Sequence, residues 1–198
     1  MSEPQEAPQE QPQEPLIASA SQTVGPFFHV GPGASDRCGV VAGPAVPGER
    51  IRLRIRVLDG DGAPVDDAMV EIRQADTQGA YAPPPARPED PPPAFAGFGR
   101  LPTSKDGDCS FDTIRPGAPA QSAGAAHVTV CLFMRGLLRH LYARVYFEGD
   151  PALERDPILS LVPAERRPTL LAQRAVDGAT WDFVVRLQGE RETVFFDV

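Results

Sequence analysis

The stretch "IRLRIRVLDGDGAPV" alternates without a break. Ile51, Leu53, Ile55 and Val57 fall on one face, and Arg52, Arg54 and Arg56 fall on the other. A period of two is the signature of a strand that buries one side, and no helix can segregate these residues. "DGDG" follows with turn chemistry, because Gly and Asp tolerate left-handed backbone angles. The same alternation returns in "DAMVEIRQAD", "DCSFDTI", "HLYARVYF", "TWDFVVRLQ" and "ETVFFDV". "AHVTVCLFM" is more continuously apolar, as a central strand covered on both sides should be. The 23 prolines and 18 glycines in 198 residues add punctuation that long helices would not survive. The expectation is an all-β fold: a β-sandwich of mostly antiparallel strands, with long loops and at most one or two short helices. One short helix is expected within "PAERRPTLLAQRA", opened by Pro163 and limited by Pro168.

The chain is long enough to bury a real core as one domain, expected over residues 19–198. Residues 1–18, rich in Gln, Glu and Pro, read as a solvated, disordered tail with no secretory signal pattern. The stretch "APPPARPEDPPPAFAGFGR" reads as a long polyproline-like surface loop, and loops of that length are usually functional or partner-facing. A net charge of -8 repels phosphate backbones and argues against nucleic-acid binding. No apolar run approaches the length of a membrane span. Three cysteines, Cys38, Cys109 and Cys131, are odd in number and lack C-x-x-C spacing. They suggest neither a disulfide framework nor a zinc knuckle, and a reduced cytoplasmic setting is the simplest fit.

Candidate chemistry is sparse. There is no G-x-S-x-G elbow and no phosphate-binding glycine pattern. A strand places residues i and i+2 on one face, so His127 would need a second imidazole at position 129, where Thr129 stands. His140 and Tyr142 have the right spacing for two donors on one face, or equally for two polar groups on an interfacial strand face. Arg135 follows "CLFM" at the end of the apolar run. A forked guanidinium there can anchor a carboxylate, or it can simply face water. In "SQTVGPFFHVG", Thr23, Gly25 and Pro26 can form a turn that seeds Phe27 and Phe28 into the core, or the cluster can reach out to touch a ligand.

Taken in order, these pieces resemble one family. "SQTVGPFFHVG", "DGAPVDDAMVEIRQADTQGAY", "GFGRLPTSKDGDCSFDTIRPG" and the ending "LQGERETVFFDV" are similar to successive motifs of the intradiol ring-cleaving dioxygenases. The resemblance extends from about Ser21 to Val198. It implies a β-sandwich and an enzyme that opens a catechol ring between its two hydroxyls with dioxygen at a ferric iron held by two Tyr and two His. Here the histidine pair falls on His127 and Thr129. The loops that should carry the tyrosines, "APPPARPEDPPPAFAGFGR" and "PGAPAQSAGAAH", contain none. That departure resembles the α type of chain in the family, which binds no metal itself and pairs with an iron-binding β chain. "GLLRHLYARVYFEGD" is similar to the α type as well.

The resemblance therefore implies Fe(III) held by the partner chain, no metal ligand and no catalytic residue in this one, and αβ units repeated by symmetry. It implies pocket roles for Thr23, Gly25, Pro26 and Phe27, the last where the family often has Tyr. It also implies that Arg135 steers or fixes the carboxylate of a carboxylated catechol. Two competitors remain at this point. One is a self-sufficient dioxygenase using His127, His140, Tyr142 and Tyr146. The other is a β-sandwich binding module that has kept the fold and lost the chemistry.

Overall fold

A computed structural model describes residues 17–25, 27–28, 36–83, 93–120 and 123–197. The strands are β1 (Arg50–Leu58), β2 (Met69–Gln74), β3 (Phe98–Pro102), β4 (Asp108–Ile114), β5 (His127–Phe133), β6 (Leu141–Phe147), β7 (Leu171–Arg174) and β8 (Thr180–Arg186). Their hydrogen-bonded order is β3-β2-β5-β6-β7-β8-β1-β4. Two pairings are parallel, β1 with β8 and β6 with β7, and the rest are antiparallel. The ribbon folds over so that β3-β2-β5-β6 faces β8-β1-β4, with the short β7 as the bend between them. The all-β expectation holds.

The alternation in β1 does what the sequence promised. Ile51, Leu53, Ile55 and Val57 join Val70 and Ile72 of β2, Phe111 of β4, Val128, Val130 and Leu132 of β5, Val145 and Phe147 of β6, and Phe183 of β8 in one core. The outer Arg row pairs across the sheet. Arg52 Nε lies 2.9 Å from Asp112 Oδ1, and Arg54 holds Asp182 through two hydrogen bonds of 2.6 and 2.9 Å. These are exposed pairs, worth only about 0.2–1 kcal/mol each, and they fix register more than stability. Inside, Gln74 ties the two layers. Its amide nitrogen donates to Ile114 O at 2.9 Å, and its carbonyl oxygen accepts from the Thr113 hydroxyl at 2.8 Å. Fully buried and bonded at both ends of its amide, it satisfies the rule for polar groups in a core.

Two local expectations are corrected. No α-helix forms within 163–175. The chain makes a single 3-10 turn at Arg167–Leu170 and then straightens into β7. Pro168 has no N–H to continue a helical ladder. Burying Leu170 and Ala172 while pairing Ala172 with Phe147 uses the segment better as a strand. Residues 192–197 form no strand either, and among these described residues the one sheet-like contact is a bridge from Phe196 to Tyr142. The proline-rich loop ends in β3, an edge strand where a terminal Pro102 does no harm. Residues 84–92 of that loop, and the tail expected over 1–18 except for its last two positions, lie outside the described residues.

Candidate functional site

The β5–β6 connection begins with a tight turn in which the Met134 carbonyl accepts the Leu137 amide at 3.4 Å. Gly136 sits at its third position with φ +89°, a conformation turns of this kind reserve for glycine. Arg135 sits beside it. The N-terminal segment comes back to this turn: the Gly136 amide donates to Thr23 Oγ1 at 2.8 Å. Phe28 packs at 5.7 Å from the Phe133 ring, and Phe133 lies 5.4 Å from His140. Between segment and turn is a cavity of about 260 Å³ lined by Val24, Phe28, Phe133, Leu137 and His140 among others. The two motifs singled out in the sequence, 113 residues apart, are thus one place in space.

The expected site residues other than Pro26 can be placed. Thr23 is exposed and bonded to the turn. Gly25 contributes its carbonyl, which accepts the Phe28 amide at 3.1 Å and closes a small turn of its own. Phe27 is 80% exposed, and its neighbour Phe28 is the one that lines the cavity. Pro26 lies outside the described residues.

Arg135 is not simply a strand-end cation in water. Its Nε donates to Asp67 Oδ2 in a close ion pair. The β2–β5 register explains why. The strands are antiparallel and Met69 opposes Phe133, so Asp67, two residues before Met69, comes to face Arg135, two residues after Phe133. The pair is lopsided, with the Arg135 side chain 62% exposed and Asp67 only 18%. Sequence reasoning missed Asp67. An acid in "PVDDAM" reveals no partner until the register of two strands far apart in the chain is known.

The histidine positions tell a different story. His127 is buried, and its Nδ1 donates to Ala125 O at 2.9 Å. Burial lowers its pKa, with the hydrogen bond to Ala125 working the other way. Tyr146 stands opposite on β6 and donates its hydroxyl to Asp156 at 3.0 Å, while burial pushes the phenol up to about 12. Asp156 is fully buried and also accepts the amides of Ala125, Ile158 and Leu159 at 2.7–2.9 Å. Burial raises its carboxyl, but these donated bonds outweigh it and hold the group below its ordinary range. This is a satisfied structural network.

Thr129 lines a second cavity of about 580 Å³ on the outer face of β2, β5 and β6, beside Glu71, Arg73, Tyr81, Cys131 and Tyr142. Burial pushes the Cys131 thiol there up to about 11, which keeps it protonated at neutral pH. Tyr142 and Tyr146 are four residues apart on one strand, roughly 13 Å along it, too far to share one ion. His140 packs edge-on against Tyr142 at 4.8 Å, at the far end of the strand pair from His127. Among the described residues, no group of three or more His, Cys, Asp or Glu could hold a metal ion. A ferric ion needs convergent donors, and these residues do not fit one. Arg135 is not among the described residues that line the aromatic cavity, whose cation is Arg139; beside the turn it offers an exposed guanidinium, a group suited to binding a carboxylate.

Comparison with known proteins places the chain in a family. A family model described as "Dioxygenase" matches residues 24–189. The chain is 41% identical over 198 residues to a protocatechuate 3,4-dioxygenase alpha chain from Burkholderia cepacia, covering 92% of this chain and 98% of that one. It is 35% identical over 153 residues to a protocatechuate 3,4-dioxygenase beta chain from the same organism, covering 70% of this chain and 65% of that one. Among solved structures it is similar to the dioxygenase domain of a dioxygenase–carbohydrate-binding fusion protein from Streptomyces sp. SirexAA-E. That likeness has a TM-score of 0.60 at 22% identity, covers 89% of this chain and 100% of that one, and speaks for the fold.

Proposed function

Since the chain belongs to the intradiol ring-cleaving dioxygenases, we propose that it is the α-type subunit of a protocatechuate 3,4-dioxygenase. The reaction is protocatechuate plus dioxygen giving 3-carboxy-cis,cis-muconate, a step of aromatic catabolism. Ferric iron, held by a homologous β chain, supplies the redox chemistry there. This chain supplies the wall that binds, orients and shields the substrate. Arg135 fixes the ring carboxylate, and Thr23, Gly25, Pro26 and Phe27 line the pocket beside it. The surroundings are cytoplasmic, residues 19–198 form the folded domain, and αβ units assemble by symmetry.

One observation carries the reading. On β5, the strand that should present two imidazoles, His127 is buried with Nδ1 bonded to Ala125 and Thr129 stands two residues on. Similarity to named alpha and beta chains from one organism supports pairing with an iron-bearing relative. Among the described residues no helix is long and apolar enough to cross a membrane.

The test is iron content and visible absorbance of the chain expressed alone and with its candidate partner. An iron-free, colourless lone chain that gives an iron-loaded, coloured complex is the expected result. Stoichiometric iron in the lone chain overturns it. A lone chain that binds catechols while no iron-bearing partner co-purifies points instead to a binding module.

A further inference from the structure

Arg135 has two edges. Nε is held by Asp67, and among the described residues no other acid pairs with this guanidinium. The Nη1–Nη2 edge, which grips a carboxylate bidentately, is left open on a side chain that is 62% exposed. The backbone beneath it is held as well, because Thr23 takes the next amide at 2.8 Å. A guanidinium is planar, so holding Nε from a mostly buried carboxylate sets the direction in which the other edge points. An acid bound across the Nη atoms would block a ligand, whereas an acid on Nε leaves the fork free.

We propose that Asp67 is a positioning residue for substrate selection: it holds Arg135 by Nε and aims the open edge of the fork at the ring carboxylate of the substrate. This rests on the reading of Arg135 as the carboxylate anchor. Asp67 touches no substrate atom. Its contribution is preorganisation, since the fork does not have to be ordered again each time a substrate arrives. Ligands without a carboxylate do not use the fork and gain nothing from Asp67.

The experiment uses the assembled complex with its iron-bearing partner. Calorimetric titrations with protocatechuate and with catechol, in the absence of dioxygen, give two dissociation constants, and kcat and KM for both substrates are measured in parallel. Asp67→Ala raises the protocatechuate-to-catechol ratio of dissociation constants roughly three- to tenfold, the span that ordering one long side chain covers, and leaves kcat on catechol unchanged. Asp67→Asn keeps an acceptor for Nε and holds the ratio within about twofold of the parent. A parental ratio in Asp67→Ala overturns the proposal, as does an equal rise in Asp67→Ala and Asp67→Asn or an equal loss for both substrates. Arg135→Ala separates the two claims. If it is carboxylate-selective while Asp67→Ala is not, only the role of Asp67 falls. If it affects both substrates alike, the anchor reading falls and takes this one with it.

Discussion

The hydroxyl of Thr23 accepts the amide hydrogen of Gly136 at 2.8 Å across 113 residues of sequence. Neither residue is buried, and neither belongs to a strand. The bond therefore adds little to the stability of the core. It decides where the segment before the first strand runs, and hence whether Phe28 reaches the turn that carries Arg135.

Thr23→Ala removes the acceptor. The cost in global stability is about 1 kcal/mol or less, the net worth of one exposed hydrogen bond. The local effect is larger. Hydrogen exchange at the Gly136 amide accelerates roughly fivefold or more, matching the same 1 kcal/mol concentrated at one site. Thr23→Ser keeps the bond and the slow exchange. Equal rates in all three proteins refute the tie.

Arg135→Ala in the assembled enzyme raises KM for protocatechuate by roughly tenfold or more, in the range of a charge-assisted hydrogen bond. KM for catechol, which lacks the carboxylate, moves by no more than about twofold. Steady-state kinetics on the two substrates check this, and equal changes on both rule out the carboxylate role.

The buried pair His127 and Asp156 sets an acid dependence of stability. Burial holds His127 below its ordinary 6.5, with Arg144 adding to that shift and Asp156 opposing it. The unfolded chain takes up this proton first, so stability erodes as pH falls below 6.5 and the erosion ends below the folded pKa. Asp156 is held below its ordinary 3.8. Its contribution is complete above that value and is lost as pH falls through the folded one. Urea midpoints are therefore flat near pH 7 to 8, decline below about 6.5 and fall further below about 4. Asp156→Asn puts an amide NH₂ where a carboxylate oxygen accepted, costs about 3 kcal/mol at pH 7, and flattens the acid limb. His127→Gln removes the decline that begins near 6.5. Unchanged curves in both variants refute the assignment.

Gly79 and Gly136 share a left-handed backbone, with φ +80° and +89°, but differ in room. A Cβ on Gly79 would sit 2.0 Å from Ala118 O and 2.7 Å from Ala120 N, whereas one on Gly136 would meet nothing within 4 Å. Gly136→Ala costs only the conformational strain of about 1–2 kcal/mol. Gly79→Ala adds displacement of backbone and costs about 3 kcal/mol or more, lowering Tm by roughly 6 °C or more in a chain of this size. Thermal unfolding of the two variants side by side checks the difference.

Much of the architecture was legible because strand periodicity is local. The alternation in β1 and the two-sided burial of β5 follow from side chains a few residues apart. The candidate site was less legible: Thr23 and Arg135 each allowed a bland reading on their own neighbourhoods, and their pocket roles rested on the family resemblance; that they meet in space depends on the Thr23–Gly136 bond. What was not legible depends on distant neighbours. "LLAQR" has no intrinsic strand signal and becomes β7 because β6 and β8 each offer it an unpaired edge. The choice of Phe28 over Phe27 for the cavity turns on a backbone turn closed by Gly25. The Asp67–Arg135 pair exists only once β2 and β5 are in register, and no pattern within either segment encodes that.

The parallel pairing of β1 with β8 also has a consequence in time. Arg54 and Asp182 are partners 128 residues apart. On a ribosome, β1 leaves the exit tunnel long before the strand that will flank it has been translated. Until then one long edge of β1 carries open backbone groups, and the hydrophobic layer behind it is uncovered. The alternating arginines on its outer face keep that waiting edge charged and discourage strands of other nascent chains from pairing with it. Arg52 and Arg54, which later fix the register of the finished sheet, thus serve earlier as protection during synthesis.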